Sequence, residues 1–367
     1  LPLDTPQCAI SWSREASPYF ATMFSGSWRE AKEKVISVEI TDPNITINSL
    51  SVVLGSLYQD EVSLEPKDMV SILATSTLFQ LQGLIDECVD IMVETTNSET
   101  VVSYYNAAVS YGVSTLVKRW LEVNLLGYGW RHPSFLKEIS PDLMTELVAS
   151  PDLIILQTEF FIYMMLRLLF AHLCTLYNYE ETLKIDEYFK NHKWTEPFLT
   201  TEESKEYAAP FKALRMKYLL LHEHDDKILY SDNLIPPDWL HDAYREQWLH
   251  LLRMDKNKDR GPAQMTEEKF SKECFRCGRC VEKPGEHIWR WKAFHYGLDL
   301  LMTLDTTSLR IERNHRLDYE HIKENHKEHK ILINYVILCM YVSVNMQLVI
   351  PLTLGEEDTT TDILSDA

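Results

Sequence analysis

"SPYFATMFSGSWRE", residues 17–30, is the stretch of sequence that decides the fold. Ser17 followed by Pro18 is typical of a helix start, because a serine side chain caps free amide groups and proline fits the first turn. In the helix that follows, large apolar side chains recur four residues apart, so that they share one side of the helix. This pattern predicts that Tyr19, Phe20 and Phe24 are mostly core residues.

The end of this stretch has a different character. Trp28 follows Gly26 and Ser27 in a predicted turn and stands beside Arg29 and Glu30. A large aromatic residue on a polar loop is a suitable anchor for a pocket on a partner, since tryptophan is enriched at binding hot spots. A neighbouring carboxylate would orient that partner through a charge-assisted hydrogen bond. The stretch therefore divides into a core helix and a loop that faces another protein.

The composition is that of a globular protein and disfavours several classes of function. The chain has 367 residues, 45% hydrophobic and 25% charged, which is enough for two or three domains. A net charge of −19 disfavours nucleic acid as the main partner, because phosphate backbones repel an acidic protein. Seven cysteines are too few for a disulfide scaffold and favour a reducing, intracellular compartment. The opening residues "LPLDTPQC" lack the pattern of a signal peptide.

Helical periodicity dominates the first two thirds of the chain. The alternating segment "KVISVEI" (34–40) predicts a strand. Helices are predicted over 44–60, 65–81, 84–92, 101–111, 140–150, 156–177, 210–221 and 244–253. Gly112 is predicted to end the helix over 101–111. The polar stretch 178–206 predicts a linker.

The last third reads differently. β-Branched, aromatic and glycine residues rise after residue 262, and "HIWRWKAFHYGLDLLMTL" (287–304) predicts strands. Residues 312–330 are dense in charge and predict a loop or an exposed helix. Residues 355–367 predict an acidic tail. No internal repeat of 20–50 residues is visible in the sequence, which argues against a solenoid or a propeller.

Two apolar runs are long enough to raise the question of a membrane span. The run 160–173 is short and interrupted by Arg167, which favours a buried helix. The run 331–352 is longer, but Asn334, Asn345 and Gln347 are costly in lipid, and its valine, isoleucine and tyrosine content favours strands. We therefore expect no membrane span.

Cysteine and histidine clusters raise the question of a metal site. Cys274, Cys277 and Cys280 have the two-residue gaps of zinc ligands, and His287, with His295 as a weaker choice, is the nearest candidate for a fourth. Surface thiols beside a strand are the simpler interpretation, because separated ligand pairs are missing. The histidines around 321–329 alternate with glutamate and lysine, as on a solvated face. We expect no cofactor and no resident metal.

Enzyme chemistry finds little support in the sequence. The glycine-rich loops that bind nucleotides are missing, and so is the nucleophile elbow of hydrolases. A metal-dependent enzyme built on the cysteine or histidine cluster remains the enzymatic alternative to a protein that only binds other proteins.

Several longer segments resemble a known family. "SPYFATMFSGSWREA" and "LGSLYQDEVSLEPKDMVSILATSTLFQLQGLIDECVDIM" resemble the second half of a BTB (POZ) domain, and "SETVVSYYNAAVSYGV" resembles the first helix of a BACK domain. "PPDWL", "WRW" and "YGLDLL" further downstream resemble the germ cell-less family. This resemblance implies an α+β chain with a partial BTB/POZ domain over 1–96, its N-terminal part missing or divergent. An all-helical BACK-type domain over 97–254, a C-terminal β-rich domain over 255–354 and the acidic tail would follow.

The resemblance also implies a function. Proteins of this class are substrate adaptors of cullin-3 RING ubiquitin ligases, so that cullin-3 and a protein substrate are the expected partners, with a role in germ cell formation. The cullin-binding residues carried over are Phe24, Trp28, Arg29, Glu30 and Tyr58, together with Tyr104 and Tyr105 in a cleft of the first BACK helices. A homodimer through the BTB domain is a further expectation.

The C-terminal aromatic residues are the expected docking surface for the substrate. They are Trp289, Trp291, Phe294 and Tyr296, although about half of such residues belong in the sheet core. The expected location is the nucleus, at the nuclear envelope, with the cytoplasm as the alternative. A non-catalytic scaffold that works at the nuclear envelope without the ligase is the competing function, because a fold alone does not fix a function.

Overall fold

The computed structural model divides the chain into two compact units, residues 1–121 and 122–367. It describes residues 17–25, 38–58, 64–113, 117–155, 158–174, 188–189, 191, 194–220, 222–255, 266–281, 285–293, 298–305, 308–313, 328–339, 342–353 and 360–362.

The first unit is helical wherever it is described. Its helices are α1 (Pro18–Met23), α2 (Ile47–Gly55), α3 (Met69–Leu78), α4 (Gln82–Glu94) and α5 (Val101–Tyr111), with a 3-10 turn at Pro66–Asp68. Thr46 and Ser49 form a reciprocal capping box at the start of α2, with both nitrogen–oxygen distances 3.0 Å. Gly112 ends α5 at φ 67°, a left-handed conformation that suits glycine. These helices confirm the sequence predictions.

Helix α3 lies at the centre of the first unit and packs against α2, α4 and α5. The core of the first unit includes the fully buried Val53, Met69, Leu73, Cys88 and Val101. Helix α5 was expected to open the BACK-type region, but it belongs to the same compact unit as α1–α4. Residues 38–40 of the predicted strand are not in a strand, and 34–37 lie outside the described residues.

The second unit begins with a set of helices. They are α6 (Lys118–Arg131), which starts before the boundary, α7 (Pro133–Leu136), α8 (Pro141–Ala149), α9 (Glu159–Cys174), α10 (Lys205–Lys212), α11 (Glu223–Asp232), α12 (Pro237–Asp255) and α13 (Glu267–Glu273). Helix α9 confirms the long apolar helix. The helix predicted over 210–221 is wrong in its bounds, because α10 ends at Lys212 and a 3-10 turn follows at Met216–Tyr218.

Part of the predicted linker 178–206 is packed. The side chains of Phe189 and Phe198 are buried, and their rings lie 6.2 and 4.4 Å from that of Phe170 on α9. The ring of Trp194 lies 5.4 Å from that of Phe198. Aromatic burial therefore overrides the polar composition of this stretch, whose earlier residues 178–187 lie outside the described part.

Two sheets follow the helices. One has the order β1 (Phe275–Val281), β5 (Glu328–Cys339) and β6 (Val342–Thr353), with β1 parallel to β5 and β5 antiparallel to β6. The other is antiparallel, in the order β2 (His287–Ala293), β3 (Leu298–Leu304), β4 (Ser308–Arg313) and β7 (Thr360–Asp362). The strands predicted over 287–304 are confirmed.

The pair β5–β6 also confirms that the run 331–352 forms strands. Within the described residues, no helix has the length and apolar character that a membrane crossing needs. Within the predicted acidic tail, β7 pairs with β4 through Ser308–Asp362, Leu309–Thr361 and Arg310–Thr360.

A buried carboxylate joins the helices to the first strand. Glu159, at the start of α9, lies 2.5 Å from Nη2 of Arg276 on β1, and both side chains are almost fully buried. Arg276 Nη1 also donates to the carbonyl oxygens of Val148 and Ser150, at 2.7 and 2.6 Å. One guanidinium thus satisfies Glu159 and the free carbonyls where α8 ends.

Arg215 extends this cluster. Its backbone amide donates to Glu159 Oε1 at 2.9 Å, and its guanidinium donates to the carbonyl oxygens of Ser271 and Cys274. Burial, followed by the charge of Arg276, lowers the pKa of Arg215. The chain from α13 into β1 is therefore fixed to the helical part, and the region predicted as a separate domain over 255–354 starts inside the second unit.

A second buried ion pair fixes the end of α11. Arg167 on α9 donates to both carboxylate oxygens of Asp232, at 2.6 and 2.9 Å, and Tyr163 donates to the same carboxylate at 2.7 Å. The guanidinium of Arg167 also lies over the ring of Phe189, 4.4 Å from its centroid. Arg167, which interrupts the apolar run in the sequence, is thus a paired core residue.

Replacing Glu159 with glutamine tests the importance of the buried cluster. Glu159→Gln removes the carboxylate charge and leaves Arg276 buried, so we expect the second unit to lose about 3–5 kcal/mol of its free energy of unfolding. Urea unfolding followed by tryptophan fluorescence measures the loss, since six of the nine tryptophans lie in residues 122–367.

The matched control is Glu268→Gln, which breaks an exposed pair with Lys272 on α13, 2.7 Å long. We expect no measurable change from this control, because water already solvates both charges. Equal unfolding midpoints for the two variants would contradict the role of Glu159.

Candidate protein-binding surface

Helix α1 is attached to the end of α3 by one serine. Ser17 Oγ accepts a hydrogen bond from the amide of Phe20 at 3.3 Å and donates to the carbonyl oxygen of Phe79. Ser17 is fully buried, although it is a cap residue at a helix start. The predicted cap therefore also determines where α1 lies on the first unit.

Aromatic packing completes this attachment. The ring of Phe20 stacks on that of Phe79 at a centroid distance of 5.2 Å, and Tyr19 meets Phe79 edge-on at 5.5 Å. Phe24 stacks on Phe20 at 6.0 Å and is buried. Phe24 was expected to complete a surface for cullin-3, but its side chain lies in the core.

Of the cullin-binding candidates Trp28, Arg29, Glu30 and Tyr58, the structure describes only the last. Trp28, Arg29 and Glu30 lie outside the described residues, and their role stays a prediction. Tyr58, in the turn after α2, is 59% exposed, and its amide donates to the carbonyl oxygen of Gly55 at 2.9 Å. A large, exposed tyrosine on a hydrogen-bonded turn is suited to contact another protein.

Tyr104 and Tyr105, which were expected in a cleft of the first BACK helices, lie on α5. Both side chains are buried on α5, and the Tyr104 hydroxyl donates to the carbonyl oxygen of Pro66 at 2.9 Å. This contact joins α5 to the turn before α3. The spacing of Tyr104 with Val101 and Ala108 in the sequence indicates a packed helix face. For Tyr104 and Tyr105 this periodicity agrees with the observed burial better than the family resemblance does.

The C-terminal aromatic residues are partly core. Trp289 on β2 is buried and lies opposite Met302 of β3, which is also buried, whereas its neighbour Ile288 is exposed. This alternation is that of a sheet with one covered face. Trp289 is therefore a core residue of this sheet. The side chain of Trp291 and the whole of Phe294 and Tyr296 lie outside the described part of the chain.

Of the three clustered cysteines, the structure describes the side chain of Cys274 alone. Cys274 is buried, and its sulfur lies 3.1 Å from Nη1 of Arg215. The side chains of Cys277 and Cys280 lie outside the described part, and His287 is on β2, in the other sheet. Among the described side chains, no group of three or more histidine, cysteine, aspartate or glutamate residues could hold a metal ion.

One other cysteine belongs to the core. Burial, and then the charge of Glu87, raises the pKa of the Cys88 thiol to about 12. This thiol is protonated at neutral pH, whereas the thiolate is the nucleophile in cysteine chemistry. Cys88 therefore acts as a small apolar core residue.

Sequence reasoning missed the buried charges that fix the second unit. Arg276 and Glu159 are 117 positions apart, and Arg215 and Cys274 are 59 apart. The one signal in the sequence is the position of charged residues within apolar segments, at Glu159 and Arg167.

Comparisons with known proteins find a domain family at the start of the chain and relatives over most of its length. The family model described as BTB/POZ domain matches residues 15–96. The chain is 39% identical over 362 residues to "Protein germ cell-less" of Drosophila melanogaster, covering 90% of this chain and 63% of that protein. It is 36% identical over 308 residues to "Germ cell-less protein-like 1" of Homo sapiens, covering 81% of this chain and 59% of that relative.

A more distant likeness covers only the first part of the chain. "Kelch repeat and BTB domain-containing protein 8" of Xenopus tropicalis is 25% identical over 103 residues, or 28% of this chain. The chain spans less than two thirds of the length of these two germ cell-less relatives.

Replacing Ser17 with alanine tests whether this serine fixes α1. The variant loses the helix cap and leaves the buried carbonyl of Phe79 without its donor, so we expect a loss of about 1–3 kcal/mol in the free energy of unfolding. Thermal unfolding followed by circular dichroism measures it. Ser25→Ala is the matched control, because Ser25 is exposed and its hydroxyl donates to the carbonyl oxygen of Thr22, at 3.0 Å. If Ser17→Ala lowers the free energy of unfolding no more than Ser25→Ala does, the hydrogen bonds of Ser17 do not hold α1 in place.

Proposed function

The chain belongs to the germ cell-less family, and from this premise we propose that it is a substrate-recognition adaptor of a cullin-3 RING ubiquitin ligase. The BTB/POZ match over residues 15–96 is the observation that carries the proposal, because such a domain suggests binding to other proteins. Catalysis is then supplied by the ligase. The adaptor raises the local concentration of its substrate near the ubiquitin-loaded enzyme.

The cullin-binding surface of this proposal is the loop after α1 together with Tyr58. Ser17 and the rings of Phe20 and Phe79 hold α1 in place, so that the loop starts from a fixed point. Trp28 then serves as the apolar anchor and Glu30 as the orienting charge. In this proposal Phe24 contributes by packing on Phe20 within α1, which differs from its expected place on the surface.

Dimerisation and location complete the proposal. A homodimer through the BTB domain would present two substrate-binding surfaces to one assembly and strengthen the capture of a substrate with two sites. The proposed place of action is the nucleus, at the nuclear envelope, with germ cell development as the process served. These elements come from the family resemblance and stay proposals.

The competing proposal is a scaffold at the nuclear envelope that acts without the ligase. It uses the same fold for assembly alone. The two proposals differ in one result. A variant that no longer binds cullin-3 would lose its biological activity if the chain is an adaptor, and would keep it if the chain is a scaffold.

Tyr58→Ala tests the part of the surface that the structure describes. We expect this change to lower the amount of cullin-3 that co-purifies with the chain by about tenfold, as for a hot-spot tyrosine. Trp28→Ala and Glu30→Lys are expected to abolish co-purification. Circular dichroism of each variant shows whether the chain stays folded.

Ile47→Ala is the matched control for Tyr58→Ala. Ile47 starts the helix that precedes Tyr58 and is 76% exposed, so it is also a large apolar residue at the surface of the first unit. It is not among the proposed cullin-binding residues, and its replacement should leave binding unchanged. Equal binding by the wild type and by folded Trp28→Ala and Tyr58→Ala variants would refute the proposed surface.

A further inference from the structure

Helix α12 carries an exposed row of apolar side chains that the proposed function does not use. Tyr244, Trp248 and Leu252 are four residues apart, which places them on one side of the helix over successive turns. They are 43%, 62% and 39% exposed, respectively. A run of large apolar side chains on one helix side is more than the scattered exposure that is normal at a protein surface.

Contacts made by other sides of α12 hold this row, Tyr244–Trp248–Leu252, in place. Ala243 on another side of α12 is buried, and so is Leu240, which stands one turn before Tyr244 and closes that end of the row. Gln247 donates to the carbonyl oxygens of Lys217 and Leu220, at 3.0 and 3.1 Å, which fixes the rotation of the helix about its axis. The row therefore faces outward because the other side of α12 is already packed.

The first member of the row is itself ordered by its neighbour helix. The hydroxyl of Tyr244 donates to Oδ1 of Asp226 on α11, at 2.5 Å. This bond gives the aromatic ring one orientation before any partner arrives. A preorganised aromatic residue loses less conformational entropy on binding, which favours its use as an anchor.

Positive charge lies beside the row in a strongly acidic chain. Arg245 follows Tyr244 directly and is exposed, and within the described residues the structure gives it no ion pair. The whole chain has a net charge of −19, so that an exposed arginine stands out. Arg245 beside the apolar row favours a partner that has an acidic residue at the matching position.

The size of the row limits what can cover it. The exposed parts of two aromatic residues and one leucine amount to roughly 300 Å². A stable dimer buries about 800 Å² on each partner, so a second copy of this chain would need much more than this row. One amphipathic helix, with apolar residues repeated every three or four positions, matches both the length and the width of the row.

We propose that Tyr244, Trp248 and Leu252 bind one amphipathic helix of a partner protein, which places its apolar residues against the row and a glutamate or aspartate against Arg245. This binding surface is separate from the residues proposed for cullin-3. The inference rests on the proposed function in one respect, namely that the partner is the protein recruited for ubiquitination.

A peptide selection with the full chain tests this inference without cullin-3. The probe is a displayed library of short helical peptides with leucine fixed at every fourth position and glutamate, lysine, glutamine or alanine allowed elsewhere. Selection against the wild-type chain, with counter-selection on Trp248→Glu, retains peptides that need the row. We expect these peptides to be enriched in glutamate beside the leucines.

Fluorescence anisotropy of the most enriched peptide then measures the contribution of each residue. We expect Trp248→Glu to weaken binding at least about tenfold, and Arg245→Glu to weaken it severalfold while improving the binding of a lysine-flanked version. Ile288→Ala is the matched control, because Ile288 on β2 is 62% exposed, like Trp248. Tyr58→Ala should bind the peptide like the wild type, so that failure of the cullin-3 proposal is distinguishable from failure of this one.

Three results would overturn the inference. The first is a selection that returns no peptide dependent on Trp248, and the second is enrichment of lysine beside the leucines. The third is self-association of the wild-type chain that Trp248→Glu abolishes, since a second copy would then be the occupant of the row. Circular dichroism of every variant confirms that the compared chains are folded.

Discussion

The carboxylate of Glu159 is the constraint on which the second unit depends. A buried charge is costly unless it is paired and hydrogen-bonded, and Glu159 obtains its partners from two distant parts of the chain. The guanidinium of Arg276 comes from β1 and the amide of Arg215 from the segment after α10. Helix α9, this segment and β1 must therefore assemble together, and a cut between the helical part and the sheets would expose the carboxylate and both arginines.

Local chemistry made much of the helical structure predictable. Ser17, Ser140 and Gly112 are caps that act within one turn of their own helix, and their effect can be read from a few neighbouring residues. The β-branched residues of 331–352 likewise indicated strands rather than a membrane helix. The parallel pairing of β1 with β5 joins residues that are 58 positions apart, and no local pattern predicts it.

The sequence predicted the type of site, a protein-binding surface, better than it predicted which residues are exposed there. Periodicity shows that Phe24 and Tyr104 share a helix side with other apolar residues, but it does not show whether that side is covered. Packing against Phe20 and the bond to Pro66 decide that both are buried. The stretch 178–206 was predicted as a linker because most of its residues are polar. Its Phe189 and Phe198 are nevertheless buried and pack against α9.

The two units support different parts of one proposed function. The first unit resembles a BTB/POZ domain and holds a short helix, through buried Ser17, at the base of the proposed cullin-binding loop. The second unit is tied together by buried ion pairs and presents an ordered apolar row on α12. An adaptor needs these two features, since it must bind a ligase and a second protein at the same time without any catalytic group of its own.

The central claim is that this chain binds cullin-3 directly. Isothermal titration calorimetry of the purified full chain with the N-terminal region of cullin-3 tests it most directly, because no other protein is present. The proposal predicts saturable binding with one cullin per chain and a Kd of about 1 μM or tighter, as for a specific interface of standard size. A folded chain that gives no saturable heat at concentrations well above this value would contradict the claim.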